Sequence, residues 1–369
     1  MERETTLVLI ILCFVSLFLY GIRHDRRFVV SSYSKGGATD VRLMSYSHKG
    51  APRLFSELSE GNNPSYFTIA DKKTLYFVNE VPSFIGREGG GVSMARIVRK
   101  GFESVVGSAI NQGGGGPCYI TRSHDKRYLL TANYGSGSVS VIRLTAINTP
   151  GEITDTVFFD QPDSLISHPH MILYNPSKGV YYVTDLGLDR IYQLKLNETT
   201  GKLEPAAVPY VEVAKGSGPR HMVMNHRSSV LYVVNELNST VSVFDVSGDK
   251  PEALQTVNAL PENYKGINAS GDICLSHSGR FLYITNRGSN TIGVFRVRKG
   301  GKLEPAGHVS CGGDWPRNMA LDKRGKRMII CNQRSGDLAF FRVNRRTGLP
   351  VKEDYSYKLN APSCVRFIE

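Results

Sequence analysis

The chain has 369 residues, 45 Lys and Arg against 33 Asp and Glu, and a formal net charge of +12. Hydrophobic residues at 41% and charged residues at 21% make a globular composition and exclude a disordered chain. The 37 Gly, 18 Tyr and 16 Phe, with almost no sustained 3.6-residue periodicity, favour turns between aromatic-rich strands and exclude an all-helical fold. The positive excess implies an anionic partner. Nucleic acid would need Lys and Arg gathered in one stripe or tail, and here they are spread along the whole chain, so the expected partner is a small phosphorylated or carboxylated ligand and not a nucleic acid.

In chain order, the first feature is the apolar run LVLIILCFVSLFLYGI (7–22), followed by Arg23, His24, Arg26 and Arg27. Its 16 residues fall just short of the ~20 that span a bilayer. The leading MERETT carries Glu2 and Glu4 beside Arg3, and no small-x-small cleavage site follows. Basic residues on the C-terminal side place that side in the cytosol. The expectation is a short apolar helix within residues 1–25, uncleaved and anchored in a membrane, holding a domain over 26–369 on the cytosolic side. A cleaved secretory signal, or a cytoplasmic protein with a misassigned start, are the alternatives. Cys13, Cys118, Cys274, Cys311, Cys331 and Cys364 form no CxxC pair and read as reduced, mostly buried thiols.

From residue 63 onward the chain repeats itself. NPSYFTIADKKTLYFVNE (63–80) corresponds to GPCYITRSHDKRYLLTANYGSGSVSVIRL (116–144) and HPHMILYNPSKGVYYVTDLGLDRIYQLKL (168–196). GPRHMVMNHRSSVLYVVNELNSTVSVFDV (218–246), SGDICLSHSGRFLYITNRGSNTIGVFRV (270–297) and WPRNMALDKRGKRMIICNQRSGDLAFFRV (315–343) follow. Each reads as a strand, a polar turn, a β-branched strand, a Gly/Asn/Ser turn and an alternating third strand. Taking Pro64, Pro117, Pro169, Pro219, Gly271, Pro316 and Pro362 as equivalent, the spacings are 53, 52, 50, 52, 45 and 46 residues. Seven copies with a period near 50 predict an all-β, seven-bladed β-propeller of four-stranded blades. The last copy, APSCVRFIE, supplies one strand only, and RRFVVSSYSKGGATDVRLMSYS (26–47) supplies its partners. The closing blade is therefore expected to be shared by the two termini.

The start of a first strand lies beside the end of a second in an antiparallel hairpin, so two columns meet at one mouth of the channel. The first-strand starts are Ser65, Cys118, His170, Arg220, Asp272, Arg317 and Ser363. The second-strand ends are Tyr33, Glu80, Tyr134, Leu186, Glu236, Arg287 and Gln333. The preceding column, Ser32, Asn79, Asn133, Asp185, Asn235, Asn286 and Asn332, varies little, as a backbone-bonding turn residue would. The charged residues differ from blade to blade. A purely structural repeat has no reason to break its symmetry that way, and a ligand site does, although a water-filled channel also needs a polar lining. No GxSxG elbow, P-loop, dinucleotide fingerprint or HExxH is present, and no metal or cofactor is expected. Glu80, Asp185 and Asp272 are the carboxylates from which a cation site would have to be built.

The motifs HPH followed by NP, DLGLDRI, GSGPRH, VNEL and TNRGSN resemble the seven-bladed propeller lactonase family, which includes bacterial 6-phosphogluconolactonases and fungal carboxy-cis,cis-muconate lactonizing enzymes. The resemblance runs from about Arg26 to Phe367. It implies that His170, Arg220, Glu236 and Arg287 are the site residues, all four already in the two rim columns. Glu80, Tyr134, His168, Asp272, Arg317 and Gln333 are substrate-binding candidates, whereas alternation turns His221 away as a packed or capping histidine. Lactone hydrolysis needs a base for water, a donor for the leaving alkoxide and a site for the oxyanion. Glu236 or His170 would be the base and the other the donor, with Arg220 and Arg287 holding the oxyanion or an anionic tail. The first expectation is a 6-phosphogluconolactonase-like hydrolase acting on 6-phospho-D-glucono-1,5-lactone. A carboxymuconate cyclase and a non-catalytic, membrane-tethered propeller scaffold are the rivals. Oligomeric state is not legible.

Overall fold

A computed structural model of the chain describes residues 26–33, 40–46, 51–59, 61–105, 110–111, 113–159 and 165–368. The apolar run 7–22, and with it the expected boundary at residue 25, lies outside the described residues. Among the described residues no helix is long and apolar enough to cross a membrane, and the helical content is one 3-10 turn, Lys299–Gly301.

Among the described residues, seven antiparallel sheets stand around a central channel, five of them built from four strands that follow one another in sequence, beside a small ribbon of Ser83–Phe84 and Arg87–Glu88. A residue with left-handed backbone turns the first hairpin in six blades, at Lys72, Lys126, Gly179, Ser228, Gly279 and Gly325. Positive φ in a tight turn matches the right-handed twist of the strands it joins. The second strands, such as Tyr128–Asn133, Val180–Asp185 and Val230–Asn235, are buried along their whole length. Each lies in the middle of a sheet covered on both faces by neighbouring blades, so both side-chain faces are apolar. The outermost strands, such as Leu203–Glu212 and Pro350–Lys358, alternate between exposed and covered.

The closing blade has the expected mixed parentage. Pro362–Ile368 pairs with Arg26–Ser32, which continues to Val41–Tyr46 and Arg53–Leu58. Val30 lies opposite Val365 and Ser31 opposite Cys364. The Phe28 ring, fully buried, meets Tyr46 and Phe367 of its own blade at 5.9 and 6.2 Å. It also meets Phe340 of the preceding blade at 6.1 Å. One blade departs from the plan: its outer position is taken by two short pieces, Gly101–Ser104 and Ile110–Asn111, both paired with Gly91–Val98.

The register corrects the sequence alignment in one place. Pro219 pairs with Asn235 and Pro316 with Asn332, but in the intervening blade it is Ser270, not Gly271, that pairs with Asn286. Gly271 thus holds the rim position, and Asp272 sits one residue deeper, in the layer of His221 and Asn318. A side chain at Gly271 would not fit, because a Cβ there would come 2.7 Å from Thr285 Oγ1 and 3.0 Å from the Pro316 carbonyl. The spacings of 45 and 52 residues that looked irregular become 46 and 51.

The closure carries the stability of the ring. Phe28→Ala should cost about 3–5 kcal/mol, the usual range for deleting a fully buried aromatic. It would be read as a lowered midpoint of urea unfolding, and an unchanged midpoint would show that the closing blade contributes little.

Candidate active site

One backbone hydrogen bond repeats at the mouth of the channel and assembles the rim. The N–H of the residue ending the second strand donates to the carbonyl of the residue before the first strand. The pairs are Tyr33 to Ala361, Glu80 to Asn63, Tyr134 to Gly116, Leu186 to His168, Glu236 to Gly218 and Gln333 to Trp315, at 2.7–3.1 Å. The recurring Asn and Asp brace the neighbouring turns, as expected. Asn133 donates to Ser138 and Ser140, Asn235 to Thr240 and Ser242, and Asp185 accepts from Ser167 and from the N–H groups of His168, Gly187 and Leu188. Each of these residues is fully buried, so their role is to hold the rim in place.

Glu236 is the centre of the site. Its Oε2 lies 2.8 Å from Arg220 Nε and 2.8 Å from Arg287 NH2. The Arg220 N–H axis is not aligned with it, so that contact is an ion pair and not a directed hydrogen bond. Arg287 is oriented from behind by the carbonyls of Ala269 and Ser270, which accept from Nε and NH2 at 3.0 and 3.1 Å. Burial pulls the Glu236 carboxyl up, but Arg220 and Arg287 outweigh it and hold it below the usual carboxylate range. Burial, with Arg220 and Arg317 nearby, lowers Arg287 to about 9, which leaves it charged at neutral pH.

His170 is buried, and its Nδ1 has no protein partner among the described residues. Burial, then the charge of Arg220, pushes its pKa well below the ordinary histidine value, so the ring is neutral. Tyr134 meets it edge-on at 5.8 Å and is itself stacked on His168 at 4.3 Å, with His168 Nδ1 2.8 Å from the Tyr134 carbonyl. His168 is therefore one ring removed from His170.

Arg317, Tyr33 and Glu80 form the other side of the rim. Arg317 NH2 donates to Tyr33 Oη at 2.7 Å, and Tyr33 Oη donates to Glu80 Oε2 at 2.8 Å. Burial works against the Arg317 charge, but Tyr33, Glu80 and Glu236 more than offset it and raise its pKa. Gln333 is half-buried at the same mouth, fixed through its main chain to Trp315. Asp272 lies below the rim, bonded to His221 and Asn318. Glu80, Asp185 and Asp272 are thus each engaged elsewhere, and no group of three metal-binding side chains occurs among the described residues. The five described cysteines are free thiols, four of them buried.

Trp315 is a rim residue the sequence reading passed over. It occupies the place before the first strand that His168 holds three blades earlier, and its ring lies 3.2 Å from the Arg334 guanidinium and 5.5 Å from that of Arg287. The available signal was its position: the residue before the first strand belongs to the mouth in every blade. Its positive φ is no special strain, because Asn63, Gly116, Gly218 and Ala361 share it at the same place in other blades.

The neutral histidines make stability depend on pH. His221 is lowered to about 4 by burial and the Arg220 charge, and His170 is lowered in the same sense. Unfolded, both rings titrate at ~6.5, so between that pH and about 4 the unfolded chain binds more protons than the folded one and stability rises with pH. Melting temperature should be level above pH 7 and fall steadily from pH 6.5 to 4. A flat profile across that window would contradict neutral burial of these rings.

The family model for the seven-bladed β-propeller lactonase matches residues 27–367. The chain is 27% identical over 350 residues to the 6-phosphogluconolactonase of Bacillus subtilis, covering 92% of this chain and 97% of that protein. It is 31% identical over 349 residues to an uncharacterized Staphylococcus aureus protein, covering 89% and 100%. Among solved structures it is similar to the periplasmic gluconolactonase of Pseudomonas aeruginosa, with a TM-score of 0.84, 27% identity, and 93% and 99% coverage. With the family model matched over residues 27–367 and the seven-bladed fold in agreement, the chain belongs to the seven-bladed β-propeller lactonase family.

Proposed function

We propose that the protein hydrolyses an anionic sugar-acid lactone at the Glu236 rim, with 6-phospho-D-glucono-1,5-lactone as the first substrate to test. The observation that carries this reading is a surplus of guanidinium charge around a neutral imidazole. Arg220, Arg287 and Arg317 face Glu236 and Glu80, three positive charges against two negative ones, with His170 uncharged beside them. An anionic ligand completes that balance, and the planar forks of arginine suit phosphate or carboxylate.

His170 is the better base of the two expected from the sequence. Glu236, clamped between two cations, is a poor proton acceptor, and its task is to aim the guanidiniums. His170 lacks a competing protein partner on Nδ1, and a bound anion offsets the arginine charges that depress its basicity. Water loses a proton to the imidazole as its oxygen bonds to the lactone carbonyl carbon. The developing oxyanion is held by a guanidinium, the ring C–O bond breaks, and the imidazolium returns the proton to the leaving alkoxide.

The relatives named above differ in the phosphate, so both 6-phosphogluconolactone and gluconolactone should be assayed above spontaneous hydrolysis. His170→Asn should lower kcat/KM by about 10²–10⁴. Arg220→Ala should raise KM more for the phosphorylated lactone than for the plain one. Absence of turnover by folded wild-type protein, or unchanged kinetics in both variants, would defeat the reading. The three guanidiniums favour one rival, cyclisation of a carboxylated muconate, and formation of that lactone product in a parallel assay would select it.

The apolar run 7–22 supports a membrane-anchored location with the propeller on the cytosolic side. The full-length protein should remain in the membrane pellet after alkaline carbonate washing, and release by the wash would reject anchoring.

A further inference from the structure

We propose that His221 and Asp272 act as a buried positioning pair that sets the aim of Arg220; the functional part of this rests on the reading that Arg220 holds the substrate's anion. Arg220 NH1 donates to the Gly271 carbonyl at 2.7 Å and faces His221 Nε2 at 3.2 Å. A guanidinium has donors only, so Nε2 must present its lone pair. The imidazole proton then sits on Nδ1, which donates to Asp272 Oδ1 at 2.7 Å. The direction of every bond in this chain follows from the chemistry of its two ends, a cation that cannot accept and a carboxylate that cannot donate.

Asp272 is held in turn by the strand beyond it. Its Oδ2 accepts from Asn318 Nδ2 at 2.6 Å and from the Met319 N–H at 3.0 Å. Asn318 Oδ1 accepts from the Val365 N–H at 2.9 Å and from Arg366 NH1 at 3.0 Å, and Arg366 NH2 donates to Tyr66 Oη. The chain crosses five blades, and Arg220, His221, Asp272 and Asn318 are all buried. Tyr66 and Tyr119 meet the His221 ring edge-on at 6.0 and 6.1 Å, and His170 meets it at 5.1 Å, so aromatic rings flank the imidazole beside its two bonds.

The consequence is a division of the Arg220 fork. NH1 is committed to Gly271 and His221, Nε lies in ion-pair range of Glu236 without a directed bond, and the NH2 edge is left for a ligand. His221 and Asp272 touch no substrate in this scheme and act only through Arg220. Gly271 brings no side chain to the rim position of its blade, and its backbone carbonyl accepts from Arg220 NH1 there.

The full-length protein tests this with three variants. Asp272→Asn keeps shape but places an amide where Asn318 and Met319 donate, which forces the amide to turn and reverses the polarity offered to His221. His221→Leu removes the acceptor, and His221→Gln restores an acceptor and a donor. In wild-type protein, nitrogen-15 resonances should show His221 in the Nδ1–H form and Arg220 N–H groups protected from solvent exchange. Asp272→Asn and His221→Leu should lose that protection and raise KM about tenfold with kcat within about threefold, the scale of one hydrogen bond to a charged group. His221→Gln should recover most of the protection and of the KM.

An Nε2–H form in the wild type, or unchanged Arg220 exchange in Asp272→Asn, would overturn the proposal. Equal impairment of the Gln and Leu variants would reduce His221 to packing and would also overturn it. If the wild type turns over no lactone, the hydrolase reading fails, and the tautomer and exchange measurements still decide the positioning role by themselves.

Discussion

Every feature of the site depends on the closure of one ring of sheets. The pairing of Pro362–Ile368 with Arg26–Ser32 joins two strands from opposite ends of the sequence. Without it the first and last blades would each present an unpaired strand edge, a template for association with other chains. Closing the circle costs the entropy of bringing distant residues together. The return is apolar: Phe28, Val29 and Val30 are fully buried between the last regular blade and the first. The ring also sets the distance across the channel, so side chains from separate blades meet at hydrogen-bond range.

That meeting has an electrostatic cost which the sequence offsets locally. Arg220 and Arg287 are almost wholly withdrawn from water, and a buried cation without a partner costs several kcal/mol. Glu236 serves both, and backbone carbonyls at Ala269, Ser270 and Gly271 accept from Arg287 Nε and NH2 and from Arg220 NH1. The Gly271 carbonyl is available because the ladder of its strand is interrupted by a register shift between Ser270 and Ile273. The arrangement holds its guanidiniums before any ligand arrives, which is the condition for electrostatic stabilisation without reorganisation. A cavity of about 500 Å³ lies further along the channel, beneath the His221 layer and walled by strand residues such as Met171, Met222 and Met319. The polar chain from His221 to Arg366 separates it from the rim.

Most of the rim was legible because the repeat did the geometry. Once Pro169, Pro219 and their counterparts were aligned, His170, Arg220, Glu236 and Arg287 fell into two columns that must share a mouth. Glu80 and Arg317 are also there, joined through Tyr33. Asp272 was misplaced because Gly271 looked like the missing proline, and one residue of slip moves a side chain from the rim to the layer below. His221 was expected to turn away as a packed or capping histidine; it is buried, and it lines the channel below Arg220. Its bond to Arg220 was not legible, because alternation predicts direction and says nothing of what the adjacent blade presents there.

The sequence by itself determined the number of blades, the sharing of the last one, the structural Asn column and, Asp272 apart, the identity of the charged rim residues. These follow from period and alternation, which are properties of a chain read in order. Tertiary structure alone decided which rim charges pair, that Glu236 bridges two arginines, that His170 is neutral with a buried, unpartnered Nδ1, and that Asp272 is joined to Arg220 through His221. The links between blades among them, Glu236 to Arg287 and His221 to Asp272, join residues about fifty positions apart and depend on ångström distances across the channel. They exist only once seven sheets have closed into a ring and excluded water from its mouth.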